Sequence, residues 1–495
     1  MDEQEKIQKI REIRLIVTEV LMFLSVILLV GFLTLIVMGY SFNFLEIGGE
    51  GEVVERTGLL QISSLPTGAT IAIDGGTPLL LRTNASRTVL AGEHEITLSR
   101  DGFDTWTKTV NVTEGMMYRV NYPRIFLTER EVETVSEFKD EKIDFESVSP
   151  NQEKMILLSE GSLYLLNLNS PKEMTELTGL KVETIEEIGW SGNSERLLAK
   201  INGKIMVLYI KNPLEIADIT EIITEENDKN VAVLSADESS EKKSEIVLKD
   251  VKFESESGDK LLVLTTAGEL REVNIREKKI SEPYLENVIR FDNDGERVIF
   301  LTSEKESEEA ETIYQLKAYR VGAEEAFLER IVTSKDAKIV AMKYFQDFFF
   351  AVVDKTTVKI YTATVWPEVE DGIEKIFEGE MSFEVAKLAK RGKGMVFSME
   401  NADGTKKGVF DIEALKVTEF EMTGKTGWID EFLRYEITDE GELKVRDYDG
   451  LNEKLLVERK TGMLGVDKTK VVTISGNSRY LYYFSGTKLL RERIN

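Results

Sequence analysis

Residues 189–210 read GWSGNSERLLAKINGKIMVLYI, and the fold of most of the chain turns on how this stretch is read. It opens on a short first strand. It then passes through the polar turn SGNSER, runs through the apolar LLA, turns at a Gly, and closes on the apolar KIMVLYI. Apolar runs this short, bounded by Gly, Asn and Ser, are strands rather than helices. The same plan recurs with starts near residues 148, 251, 289, 342, 388, 427 and 465, including SPNQEKMILLSEGSLYLLNL, FDNDGERVIFL and ISGNSRYLYYFSGTKLL.

Eight such units follow one another at spacings of about 40–60 residues. Several strands per unit at this period predict a β-propeller over residues 128–495, with eight blades or alternatively seven. Two acidic stretches break the rhythm. TEENDKNVAVLSADESSEKKSE, from Thr224, reads as a mobile surface loop between blades, and SEKESEEAET, from Ser303, as a shorter loop inside a hairpin.

The totals narrow the function. The chain has 495 residues, no cysteine and one histidine. Disulfide frameworks, thiolate nucleophiles, Ser-His-Asp triads and multi-His metal sites are ruled out by counting. The net charge is −26 and is unevenly placed: residues 1–57 carry five basic and nine acidic side chains, residues 58–126 six of each, and the remainder 52 and 74. An acidic propeller has no basic footprint for nucleic acid, so nucleic acid is not expected as a partner.

Residues 20–40, VLMFLSVILLVGFLTLIVMGY, contain no charge and are long enough to cross a bilayer. The run is longer than the apolar core of a cleavable signal, and no A-x-A site follows it. The expectation is an uncleaved anchor over residues 15–40, reached from a tail of residues 1–14 and followed by a polar linker, 41–57. Lys6, Lys9, Arg11 and Arg14 precede the run, and the next basic residue is Arg56. The positive-inside rule then places the N terminus in the cytoplasm and the rest of the chain outside.

Residues 58–127 alternate at period two, with Ala69, Ile71 and Ile73 on one face and turns at Pro66–Gly68, Asp74–Gly76 and Asp101–Gly102. A small β-sandwich is predicted. LQISSLPTGATIAIDG, then TP, then LAGEHEITLSRDGFDTW resemble a PEGA domain. The residues that carry the resemblance are Pro66, Gly68, Ala69, Asp74, Gly75, Thr77, Pro78, Gly92, His94, Gly102 and Phe103. Thr67 stands where that pattern has Glu, and the gap before TP is short. The resemblance implies an exported surface or envelope module without catalysis. Asp74 is expected to cap its own turn, and His94 to be a packing or hairpin residue. In the C-terminal region the polar turn followed by RLLA or RVIF is similar to TolB-like and WD-type repeats, although no W-D dipeptide with a partner histidine occurs.

No catalytic, cofactor-binding or metal-binding residue is selected. Asp292–Gly295 and Asp447–Gly450 resemble the start of a calcium loop, but the spacing of the remaining ligands fails, and both read as hairpin turns. Phe345, Phe348, Phe349 and Phe350 are more than one alternating strand face can bury. They fit a strand packed between two blades, the alternative being an exposed partner patch. The expected whole is mainly β: a transmembrane helix, a PEGA-like sandwich and a propeller. Its expected role is a non-catalytic, cofactor-free binding or scaffold protein of the prokaryotic cell envelope, with an envelope protein or cell-wall component as partner. The alternative is a hydrolase or sensor that takes a saccharide or peptide in the propeller channel, where a carboxyl pair would be the sign to look for. A third option, an assembly role for the transmembrane helix, is weakened by its lack of G-x-x-x-G.

Overall fold

The computed structural model describes residues 3–37, 40–42, 54–76, 82–138, 145–171, 174–177, 179–212, 215–236, 245–295, 297–304, 313–320, 331–363, 373–391, 394–458 and 472–495. They fall into two compact units, residues 1–128 and 129–495.

The first unit begins with helix α1, Glu3–Val37. Its stretch Arg14–Leu35 has a mean hydropathy of 2.6 and is long and apolar enough to cross a membrane. Leu15, Phe23, Leu28 and Leu33 are all more than half exposed, so no protein core covers this helix. Such a helix fits a membrane anchor or a signal sequence. The boundaries differ from those expected. The helix already includes most of the proposed tail, and it ends at Val37. Tyr40–Phe42 is instead a strand, paired with Val54–Arg56 inside the proposed linker. Backbone pairing, invisible to a hydropathy window, draws these residues into the sheet.

The sandwich has two sheets. One is built on Val54–Ile62, flanked by Ala85–Leu90 and Met117–Val120; the other orders Thr70–Ile73, Gly92–Ser99 and Trp106–Val112. The last of these strands alternates buried and exposed along its whole length, as a strand with one face on a core must. Gly58 is the close approach in the unit, since a Cβ there would meet Val112 at 2.5 Å. Gly68, Gly75, Gly92 and Gly102 all have positive φ, which explains the glycine-marked turns. Thr77 and Pro78 lie outside the described residues.

Asp74 does not cap its own turn. Its Oδ2 meets His94 Nδ1 at 2.7 Å, and its Oδ1 accepts the Glu95 amide at 2.8 Å. His94 Nε2 lies 2.7 Å from the Leu90 carbonyl. The pair clips the Asp74 turn to the neighbouring strand, so His94 holds a hairpin together as expected. Asp74 itself, at φ 55°, bonds across the sheet.

The second unit is a β-propeller. Among the described residues it forms eight four-stranded antiparallel sheets, each an up-and-down meander. The innermost strands, in order, are Phe145–Val148, Ile185–Trp190, Leu248–Phe253, Val288–Asn293, Lys338–Tyr344, Lys387–Arg391, Lys425–Trp428 and Val472–Ile474. The eighth sheet takes its outermost strand, Val132–Glu137, from the start of the unit, paired with Lys488–Arg493. Hydrogen bonds or ion pairs join each sheet to the next, including the eighth to the first through Gly476 N and Gln152 O at 2.7 Å. The ring is therefore closed.

The apolar clusters lie between adjacent sheets. Met155 and Leu157 of the first sheet pack on Tyr482 and Phe484 of the eighth, and Ile156 and Leu158 on Leu197 and Ala199 of the second. Second strands such as Lys154–Ser159 are thus buried on both faces and read as continuous apolar runs. The phenylalanine stretch follows the same rule. Phe348, Phe349 and Phe350 are buried between sheets, whereas Phe345 stands 60% exposed at the hairpin turn.

The acidic stretch from Thr224 is not a loop throughout. Ile219–Ala236 is a helix, α2, whose residues Ile219, Ile222 and Ile223 are buried against Ile246 and Val251 between the second and third sheets. Asp218 Oδ1 accepts the Glu221 amide at 2.9 Å and caps its N terminus. Asn227 exchanges two hydrogen bonds with the Ile246 backbone. Composition hid a one-sided apolar stripe whose partner is remote in sequence. Residues 237–244 of that stretch, and most of SEKESEEAET, lie outside the described residues.

Between the sixth and seventh sheets Glu400 meets two buried cations, Arg434 at 3.0 Å and Lys407 at 3.3 Å. Burial pulls Arg434 down to about 10, and burial likewise lowers Lys407. Burial alone would raise Glu400, but its two cations outweigh that and hold it below the usual carboxylate range. Glu400→Gln leaves both cations uncompensated and is expected to cost about 3–5 kcal/mol in urea unfolding of the propeller. An unchanged unfolding midpoint would refute this.

In the sandwich, the His94 hydrogen bond and then the Glu95 amide lower the Asp74 pKa. For His94, burial opposes the charge, but the Asp74 carboxylate and the Leu90 carbonyl outweigh it, and its pKa is raised above 6.5. The Asp74 contribution is present above the ordinary carboxylate pKa and is lost as pH falls through its lowered value. The His94 contribution is complete below 6.5 and is lost as pH rises through its raised value. Because the chain has one histidine, its ring resonance can be titrated without ambiguity. Asp74→Asn should bring that titration down, and an unmoved midpoint would contradict the pairing.

Candidate functional site

The eight innermost strands converge on an axial channel, and each is the edge strand of its sheet. An edge strand has backbone N–H and C=O groups with no partner in the ladder. Here neighbouring side chains supply several of those partners. Lys249 donates to the Ile289 carbonyl at 2.7 Å and Lys252 to the Phe291 carbonyl at 3.1 Å. Arg290 donates to the Ala337 carbonyl at 2.9 Å, and Lys390 to the Asn293 and Ala341 carbonyls at 2.8 and 3.1 Å. Asp292 joins three sheets at once: Oδ1 takes the Lys252 ammonium at 2.7 Å and Oδ2 the Ala341 amide at 2.9 Å. Asp292 is therefore a cross-sheet link, and the turn that follows is held by Asp294 and Arg297. Asp447–Gly450 is a hairpin turn closed by Gly450 N to Asp447 O at 2.9 Å.

This use of the inner edges inverts the local charge. The eight innermost strands carry nine basic and five acidic side chains, in a region with 52 and 74 overall. The division is also lateral. Sheets one and two contribute Glu146, Glu186 and Glu187 and no base; sheets three to seven contribute every base.

Two cavities lie along these strands. One of about 670 Å³ is lined by Lys249, Lys252, Arg290, Lys338 and Lys387. The other, of about 240 Å³, gathers Glu146, Ser147, Glu187, Arg391, Trp428 and Tyr435 from five sheets' worth of lining, with Asp430 and Glu431 beside them. In the smaller cavity Trp190 Nε1 donates to Ser147 Oγ at 2.7 Å, and Ser147 donates to Glu187 at 2.5 Å. Burial pushes the Glu187 carboxyl up, against the pull of Ser147 and Arg391. Tyr435 belongs to a second strand, directly opposite Gly427. A Cβ on Gly427 would lie 2.7 Å from the tyrosine ring and hydroxyl, so the missing side chain is what lets Tyr435 lie there. Burial, and then the Glu146 charge, push its pKa up to about 12. Arg391 and Arg434 stand over the Trp428 ring at 5.3 and 3.9 Å.

The serines of the polar turns are held in place. Ser149, Ser191 and Ser475 each bond an asparagine two residues on at 2.8 Å and accept an amide five residues on at 3.0 Å. The residue after each asparagine (Gln152, Ser194 or Ser478) takes positive φ. This S-x-N-x-x turn is visible in the sequence three times, and its spacing marks sheets eight, one and two. Sequence reasoning selected none of Glu146, Glu187, Arg391 or Tyr435, because no local motif joins residues drawn from separate sheets.

Residues 57–124 match the family model of the PEGA domain. No curated protein matches the chain. Solved structures with a related arrangement include dipeptidyl peptidase 4 of Porphyromonas gingivalis, with 10% identity and a TM-score of 0.42, covering 71% of this chain and 56% of that one. An oligogalacturonate lyase in complex with manganese has 8% identity and a TM-score of 0.38, covering 72% and 96%. The β-propeller domain of Cps50 (Swd1) from Myceliophteria thermophila has 9% identity and a TM-score of 0.37, covering 74% and 100%. The chain thus carries a PEGA domain, preceded by an apolar helix and followed by a β-propeller built of four-stranded sheets.

Proposed function

We propose that the chain is a single-pass membrane protein with a cytoplasmic N terminus, whose sandwich and propeller stand outside the membrane as a non-catalytic binding platform of the prokaryotic cell envelope. The observation that carries the non-catalytic reading is the use of the channel's polar groups as links between sheets. Lys249, Lys252, Arg290, Lys390 and Asp292 all bond neighbouring strands, and Ser147 is held between Trp190 and Glu187. Groups fixed in this way hold a ring rigid and are not themselves available as nucleophile and base. The four basic residues ahead of the uncharged run of residues 20–40 support the orientation. The acidic exterior suits a soluble domain near an anionic membrane surface, which it repels. An envelope protein or a cell-wall component is the partner this reading calls for.

A sensor role for the channel is the second reading, supported by the small polar cavity that holds Arg391, Glu187 and Tyr435. Protease added to intact cells expressing the full chain, tagged at both ends, tests the topology. The C-terminal tag is expected to disappear while the N-terminal tag survives. Protection of both tags would place the propeller in the cytoplasm and overturn the platform reading. In the same cells, crosslinking should join the propeller to an envelope component; turnover of a cell-wall fragment by the purified chain would overturn the non-catalytic reading.

A further inference from the structure

The larger axial cavity, of about 670 Å³, concentrates positive charge in a chain whose net charge is −26. Lys249, Lys252, Arg290, Lys338 and Lys387 line it, and Asp250 is the one carboxylate among its lining residues. The bases come from four consecutive sheets, the third to the sixth. Lys338 and Lys387 are the first residues of their innermost strands, Lys249 the second and Arg290 the third, so the four meet at one end of the channel. Arg391, the last residue of its strand, lines the other cavity instead.

The protein neutralises little of this charge. Lys252 alone meets a carboxylate, Asp292, at 2.7 Å. Lys249 and Arg290 bond backbone carbonyls, which accept a hydrogen bond but carry no net charge. Lys338 and Lys387 make no hydrogen bond or ion pair among the described residues. Asp250 accepts the amide of the next residue, Val251, at 2.9 Å. Glu186 and Glu245 share a neighbouring cavity with Lys249 but form no ion pair with it among the described residues. Five cations thus face two carboxylates, Asp250 and Asp292, and three positive charges are left over.

That excess selects a ligand class. A cleft lined by one sign of charge, with apolar residues such as Leu264 and Ile339 in its walls, focuses its field and draws counter-ions. A cation is repelled, and a neutral sugar leaves the excess as it stands. A monovalent anion offsets one charge of the three. An anion with two or more carboxylate or phosphate groups meets Lys338 and Lys387 together. It also reaches the donors that Lys249 and Arg290 have left, since an ammonium carries three and a guanidinium five. We propose that this end of the channel binds a small multivalent anion, with Lys338 and Lys387 as its charge partners and Lys249 and Arg290 as donors held in place by the backbone. The inference rests on the propeller being a binding module, and not on which side of the membrane it occupies.

Isothermal titration of the full-length chain in detergent at pH 7 and low salt tests it, with citrate, pyrophosphate and acetate as probes. A saturable isotherm is expected for citrate, pyrophosphate or both, with acetate silent at the same concentration. Which of the two binds decides between a polycarboxylate and a phosphate-bearing ligand. Lys338→Gln and Lys387→Gln should each weaken binding about tenfold, the usual scale for losing a hydrogen bond to a charged group, and the double variant should abolish it. Neither side chain bonds the protein, so the melting temperature without ligand should hold; a fall would give these lysines a structural role and overturn their assignment. Lys416→Gln, at an exposed position on the outermost strand of the sixth sheet, should bind as the parent does. The proposal fails if neither citrate nor pyrophosphate binds, or if acetate binds as tightly. It also fails if the two channel variants bind as the parent does, or if Lys416→Gln weakens binding as much as they do, the mark of non-specific attraction. The crosslinking and protease results do not involve these lysines, so this inference and the platform reading can fail separately.

Discussion

The propeller depends on one pairing, that of Val132–Glu137 with Lys488–Arg493. It unites residues 358 apart in the chain through Arg491 and Glu133. Nearby, Glu492 is buried and takes both Arg130 at 3.3 Å and the Tyr483 hydroxyl at 2.7 Å. Closure entropy grows only with the logarithm of loop length, so a ring of this size costs little more to close than a smaller one. What closure protects is larger. Without it the eighth sheet would lose its outermost strand, and the apolar faces of the first and eighth sheets, with Met155, Leu157, Tyr482 and Phe484, would meet water.

Closing a ring creates a second problem at its centre, where eight sheet edges face one another. Lysine and arginine are suited to it, because each carries a long stem, several donors and no acceptor. Lys249, Arg290 and Lys390 each reach a carbonyl of an adjoining inner strand. This explains a basic interior within an acidic protein: the inner bases answer the backbone, and the outer acids answer the solvent. Arg391 departs from that arrangement, since its Nε is buried and meets no acceptor among the described residues.

Much of this was legible in the chain itself. The repeat of polar turn and apolar run yielded strands such as Arg196–Ile201 and Lys204–Tyr209 as adjacent partners in one sheet. The glycines of the sandwich marked turns because φ at Gly68, Gly75 and Gly102 is positive, a property local enough to be seen in sequence. The three buried phenylalanines of 348–350 were legible as a strand covered on both faces. Helix α2 was not, because its acidic composition outweighed three isoleucines whose partners, Ile246 and Val251, come later in the chain. Tyr40 was assigned to the anchor, and Ser41 and Phe42 to the linker, because hydropathy does not register their strand pairing with Val54–Arg56.

By itself the sequence determined the classes of its parts: an apolar helix, a small sandwich with a family signature, and a long run of repeated strands. Period, turn chemistry and hydropathy are properties of neighbouring residues, and they survive without a fold. The tertiary structure alone decided what the channel contains. Glu187, Arg391 and Tyr435 lie on the second, sixth and seventh sheets, and only the closed ring brings them to one cavity. The burial that raises Glu187 and Tyr435, and that leaves the arginine donor without an acceptor, belongs to the assembled sheets and to no segment of the chain.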